Sequence, residues 1–251
     1  MSRKETPLID KFGRQVNYVR ISVTDRCDFR CVYCMAEEMT FVPRAEILSL
    51  EEIQLLSEVF VELGVSKIRL TGGEPLVRSN VVSLCQSLGK LDGLQELVMT
   101  TNGSHLVKYA KSLKNAGIRR LNISLDTLDP EKFKELTRTG NLAAVMAGID
   151  AALEQGFEKV KLNAVILKGR NDQQVLPLIQ YAISKGLDIS FIEEMPVGVL
   201  SERDRLESFC SSEDIKGIIQ QSKSLIPSVE SSGGPSRYFT VPSHTSRIGF
   251  I

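Results

Sequence analysis

The chain has 251 residues, 42% of them hydrophobic and 25% charged, enough to bury a full single-domain core and ordinary for a globular protein. Lys plus Arg and Asp plus Glu each number 31, so overall charge points to neither nucleic acid nor a membrane surface. No run approaches a membrane span, and the polar first residues have no apolar stretch behind them, so neither a span nor a secretory signal is expected.

Taken in order, residues 18–23 alternate and are rich in β-branched side chains, which predicts a strand. Ser49 caps a helix whose apolar residues Ile53, Leu56, Val59, Phe60 and Leu63 recur at helical spacing, and Gly64 stops it. Strands at 66–71, 95–100, 119–125 and 159–166 alternate with helices near 79–90, 104–116, 130–137 and 141–155. A helix near 173–185, with Pro177 in its first turn, precedes a sixth strand at 188–193. Strands alternating with helices predict βαβ units and a parallel sheet, and six strands are too few for a closed eight-stranded barrel. The fold class expected is therefore α/β, an open, partial (β/α)6 TIM-like barrel. After Met195 the pattern changes to a charged, Ser-rich loop (198–212), a helix (213–221) and short strands at 225–229, 236–241 and 246–251. The domain reading is a lead-in (1–16), the partial barrel (17–196) and a short C-terminal α+β extension (197–251).

Three of the five cysteines, Cys27, Cys31 and Cys34, fall at C-x3-C-x2-C just after the first strand. Such a cluster implies a metal or a redox pair before it implies packing. A closed zinc site takes four ligands and a disulfide two. Three thiolates could instead hold a four-iron cluster and leave its fourth iron open for a ligand. Zinc and a disulfide remain the bland readings. Cys85, beside Leu84 and Leu88, reads as a small core residue, and Cys210 has no C-x2-C partner. His105 and His244 are isolated, and neither is given a role. With clustered thiols and no targeting segment, a reducing cytoplasm is the expected home.

Other strand ends carry unusual residues, and in parallel α/β folds that edge meets ligands. Thr71-Gly72-Gly73-Glu74-Pro75 follows the second strand, where two glycines permit close backbone approach. Arg20, Arg69 and Lys161 interrupt three apolar strands, so each faces either solvent or a polar lumen.

The C-x3-C-x2-C with Tyr33 before its last cysteine resembles the radical S-adenosylmethionine (SAM) enzymes. Thr24-Asp25-Arg26-Cys27 and Thr71-Gly72-Gly73-Glu74-Pro75 narrow the resemblance to the GTP 3',8-cyclases of molybdenum-cofactor biosynthesis, from about Phe12 to the chain end. The resemblance implies a 4Fe–4S cluster on Cys27, Cys31 and Cys34, with SAM on its open iron. An electron from the cluster would split SAM into methionine and a 5'-deoxyadenosyl radical. That radical would take the ribose 3' hydrogen of GTP, and the carbon radical left would attack guanine C8. It further implies that Tyr33, Gly73, Ser124 and Met195 contact SAM and that Arg20, Arg69, Thr100 and Lys161 bind GTP, whose triphosphate suits Arg forks and Lys point charges. A lyase of this kind would work with cyclic pyranopterin monophosphate synthase as pathway partner and an electron donor such as flavodoxin, and the resemblance allows a homodimer.

Two departures stand out. Full-length relatives continue into a second C-x2-C…C motif holding another 4Fe–4S cluster; its ligands are missing from these residues, so GTP cyclisation by this chain is expected to be impaired, and one barrel end uncovered. Many relatives also have Arg where Ser190 stands, and that loss would weaken anion binding. The competing readings are another radical SAM activity on peptide or RNA, and a non-catalytic remnant or zinc-holding interaction module.

Overall fold

The computed structural model describes residues 8–195, 205–229 and 234–251. The first residues and parts of the expected 198–212 loop and of the Ser-Ser-Gly-Gly-Pro separator lie outside the described residues. Nine strands are β1 (Tyr18–Ser22), β2 (Lys67–Thr71), β3 (Glu96–Thr101), β4 (Ile118–Ser124), β5 (Lys159–Val165), β6 (Asp188–Ile192), β7 (Ile226–Pro227), β8 (Arg237–Thr240) and β9 (Arg247–Phe250). The helices are α1 (Leu50–Glu62), α2 (Val81–Leu88), α3 (Leu106–Asn115), α4 (Pro130–Thr137), α5 (Leu142–Glu154), α6 (Val175–Ser184), α7 (Arg205–Ser208) and α8 (Ser212–Gln220). Along the sheet the strands follow β1-β2-β3-β4-β5-β6-β9-β8-β7, a parallel-dominated order, as the α/β reading expects.

Two compact units divide the chain: residues 1–28, 40–121 and 147–159 form one, and 29–39, 122–146 and 160–251 the other. In the first, β1 and β2 pair in parallel with Arg20 beside Arg69, and β2 pairs with β3 with Arg69 beside Val98. Period-2 alternation sends Ile68 and Leu70 into the core and leaves Arg69 half-buried on the opposite face. A capping box starts α1: Ser49 Oγ accepts from Glu52 N at 3.1 Å and Glu52 Oε2 accepts from Ser49 N at 2.7 Å. The expected apolar stripe on α1 is corrected. Ile53 is buried with Ser57, while Leu56 and Val59 are exposed. Ser57 can be buried because its hydroxyl donates to Ile53 O at 2.7 Å within the helix.

In the second unit β5 and β6 pair in parallel, Asn163 beside Ser190. The last strand then continues the parallel run: β9 pairs with β6, Ile189 beside Ile248 and Phe191 beside Phe250. The last strand is thus part of the sheet rather than appended to it, and Ile248, Gly249 and Phe250 are all buried. An antiparallel hairpin of β8 on β9 and β7 on β8 follows outward. β7 is two residues where five were expected, since Pro227 has no N–H for a ladder and suits only an edge.

Candidate active site

The first unit gathers three of the four expected GTP contacts. Arg69 Nε donates to Tyr18 Oη at 2.8 Å, and its Nη1 donates to Thr100 Oγ1 at 3.1 Å. Arg20, its register partner on β1, is exposed. As register partners on adjacent strands, Arg20 and Arg69 share one face of the sheet, a placement that suits an anion such as a polyphosphate. Tyr18, not singled out from the sequence, fixes the Arg69 fork; alternation along β1 was the signal, since Tyr18 and Arg20 share a face.

Past the strand ends, the turn after β2 packs on the start of the cysteine loop. Gly73 N donates to Thr24 O and Glu74 N to Arg26 O, both at 2.8 Å. A β-carbon at Gly72 would lie 2.5 Å from Thr24 O, and one at Gly73 would overlap Arg26 O. The close backbone approach foreseen for a ligand is thus already needed by the chain itself. Glu74 is fully buried and accepts from Leu76 N at 2.9 Å, Thr101 Oγ1 at 2.8 Å and Asn102 N at 2.6 Å. Burial pushes its carboxyl up to about 7, although these donors favour the charged form. Asn102, immediately after β3, donates from Nδ2 to Asp28 Oδ1 at 2.7 Å and lies 3.9 Å from Cys27 Sγ.

The second unit carries the rest of the loop. Arg30 N donates to Thr137 O and Val32 N to Leu136 O, each at 2.9 Å, tying the loop to the end of α4. Phe29 packs edge-on against Phe133, with centroids 5.8 Å apart. Cys34 N and Met35 N both donate to Cys31 O, closing a tight turn. Tyr33 Oη donates to Asp126 Oδ2 at 2.6 Å, and Asp126 Oδ1 accepts from Val165 N at 2.8 Å. Burial lifts Asp126 to about 6, and burial with the Asp126 charge holds the Tyr33 hydroxyl well above its ordinary value. Asp126 is the last residue of the Ser-Leu-Asp run at the end of β4 and was missed as a partner of Tyr33, because sequence spacing does not reveal a contact over 93 positions. Ser124 is half-buried at the end of β4, and Met195 is exposed. Lys161 Nζ donates to Ser190 Oγ at 3.2 Å and to Tyr238 Oη at 3.3 Å.

No disulfide joins any of the five cysteines; Cys27 and Cys31 are half-buried and Cys34 exposed, whereas Cys85 and Cys210 are buried. Burial pushes the Cys85 thiol to about 12 and the Cys210 thiol to about 11, which suits core residues rather than ligands. Among the described residues no three His, Cys, Asp or Glu side chains already converge as a metal cage. The donor set still fits an iron–sulfur cluster: three thiols on one short loop, none in a disulfide, with no fourth cysteine on that loop to close a zinc site.

The family model of the radical SAM superfamily matches residues 21–182. The GTP 3',8-cyclase of Marinobacter nauticus is 58% identical over 247 residues, 98% of this chain and 74% of its own length. GTP 3',8-cyclase 1 of Pseudomonas aeruginosa is 58% identical over 98% of this chain and 75% of its own. Among solved structures, Streptococcus suis SuiB superposes with a TM-score of 0.67 at 18% identity, over 94% of this chain and 49% of that one. Methylornithine synthase PylB gives 0.62 at 17%, over 81% of this chain and 61% of its own. These last two speak to the fold alone. With the thiol loop, the Gly-Gly-Glu-Pro turn and the arginine pair at the strand positions described, and with relatives this similar along nearly its whole length, the chain belongs to the radical SAM superfamily and, within it, to the GTP 3',8-cyclase family.

Proposed function

We propose that this chain converts GTP to 3',8-cyclo-7,8-dihydro-GTP for molybdenum-cofactor biosynthesis, with SAM and a 4Fe–4S cluster held by Cys27, Cys31 and Cys34. One observation carries the reading: 58% identity to GTP 3',8-cyclases over 98% of the chain. The cluster, when bound, supplies the single electron that splits SAM. The chain's residues bind and orient. Gly73 offers main chain to SAM, with Tyr33, Ser124 and Met195 as its further contacts. Arg20 and Arg69 hold the triphosphate, Thr100 steadies Arg69, and Lys161 adds a point charge. Fixing the ribose against the reacting centre accounts for much of the rate, since well-oriented partners recover roughly 7–11 kcal/mol of barrier.

Cys85 and Cys210 are single and buried, so neither is offered to a second cluster. The relatives are longer than the part matched here, which is 74–75% of their length, and we place the second cluster that the resemblance implies in that further stretch. We place the enzyme in the cytoplasm, with a flavodoxin-like reductant and cyclic pyranopterin monophosphate synthase taking its product. No helix among the described residues is long and apolar enough to cross a membrane.

Anaerobic reconstitution tests the reading directly. About four irons with acid-labile sulfide per chain, saturable GTP binding, and 5'-deoxyadenosine released from SAM under dithionite are expected. Zinc without sulfide, or no 5'-deoxyadenosine released under dithionite, would sink it.

A further inference from the structure

We infer that Asn102 is a positioning residue that donates an N–H···S hydrogen bond to Cys27 and thereby raises the reduction potential of the cluster on that cysteine. The inference rests on the cluster reading given above and concerns a residue outside the thiol and SAM sets.

Asn102 is only 8% exposed, and its polar atoms are accounted for within the first unit. Its N donates to Glu74 Oε2 at 2.6 Å. Its Oδ1 accepts from Ser104 N at 3.0 Å and lies 2.8 Å from Ser104 Oγ. A main-chain N–H can only donate, so the amide oxygen must face Ser104, and the NH2 must face the cysteine loop. One of its two hydrogens goes to Asp28 Oδ1 at 2.7 Å; Cys27 Sγ lies 3.9 Å from the same nitrogen. That is long for a neutral thiol. A thiolate on iron is a charged acceptor, and charge-assisted hydrogen bonds are shorter and about twice as strong.

Asp28 is itself held on two sides: Ser104 Oγ lies 2.8 Å from Asp28 Oδ2, and His105 Nε2 lies 3.2 Å from the same oxygen, without hydrogen-bond alignment. The neighbour of Cys27 is therefore clamped to the end of β3 by the group that also points at the sulfur. A donor aimed at a cluster sulfur stabilises the reduced, more negative form, which is how such bonds raise potentials. A merely structural clamp on Asp28 would change stability and leave the potential where it was.

The test uses the whole reconstituted protein. EPR-monitored redox titration of Asn102→Leu should show the reduced-to-oxidised ratio at a fixed potential falling about tenfold, ~59 mV lower for a one-electron couple. Pulsed EPR of wild-type protein labelled with 15N-asparagine needs no variant and should detect 15N coupling to the reduced cluster. An iron-loaded Asn102→Leu protein with the wild-type potential would overturn the assignment, as would labelled wild type without coupling. Wild-type protein that assembles no cluster fails the underlying reading first, and the assignment with it.

Discussion

A β-carbon on Gly73 would overlap the carbonyl oxygen of Arg26, one residue before Cys27. The turn after β2 and the root of the thiol loop thus meet through main chain alone, joined by Gly73 N to Thr24 O and Glu74 N to Arg26 O at 2.8 Å. Gly73→Ala should therefore destabilise the protein before any ligand is present, by about 1–3 kcal/mol, the usual range for overpacking. A urea midpoint of the metal-free variant equal to wild type would show that this glycine serves a ligand only.

Asp188 and Arg247 tie the first residue of β6 to the first residue of β9. Asp188 Oδ1 accepts from Arg247 N at 2.9 Å, and Oδ2 accepts from Nε at 3.0 Å and Nη2 at 2.7 Å. The guanidinium also lies 4.7 Å from the Tyr238 ring centroid. Both side chains are nearly buried, so removing the carboxylate strands a charge. Asp188→Ala should cost about 3–5 kcal/mol in chemical denaturation, and Asp188→Asn, which strands the same charge, nearly as much. A much smaller loss for Asp188→Asn than for Asp188→Ala would argue that hydrogen bonding and shape, not charge, are what matter.

Much of this was legible in the sequence because the signals were local. The Ser49 cap and the period-2 strands each occupy a few neighbouring residues, and each fell where expected. What stayed hidden depends on distant chain. Nothing near Ser57 says that it, and not Leu56, faces the core of α1. Nothing near Ile248 says that β9 returns beside β6, because register between strands 59 positions apart is set by packing. Tyr18 on Arg69, Tyr33 on Asp126 and Asn102 on Asp28 are likewise contacts made by topology.

Ser190 stands where the family resemblance implies an arginine, and its surroundings leave no room for one. It is fully buried; its hydroxyl lies 2.9 Å from Ser236 Oγ and accepts from Lys161 Nζ at 3.2 Å. A β-carbon on Gly249, its register partner, would overlap both serine hydroxyls. Ser190→Arg should thus lose about 1–3 kcal/mol of stability from overpacking, with repulsion from Lys161 added, and should not tighten GTP binding. Tighter GTP binding in titration calorimetry, at an unchanged urea midpoint, would mean that the space exists after all.

Glu74 makes a pH dependence that can be read in the same way. Burial lifts its carboxyl from 4.5 to about 7, so between those values the folded protein keeps a proton that the unfolded chain has released. The folded state then binds more protons than the unfolded one, and this group's contribution to stability falls as pH rises through the window. Above the folded value the penalty is complete, on the order of 3 kcal/mol. Leu76 N, Thr101 Oγ1 and Asn102 N hold the carboxylate and keep the shift from being larger. Glu74→Gln cannot titrate, so its loss of stability between about pH 5 and pH 8 should be smaller than that of wild type, whatever its absolute stability. Comparing the two slopes cancels the other titrating groups. Parallel slopes from urea unfolding at those two pH values would show that Glu74 is already charged when buried.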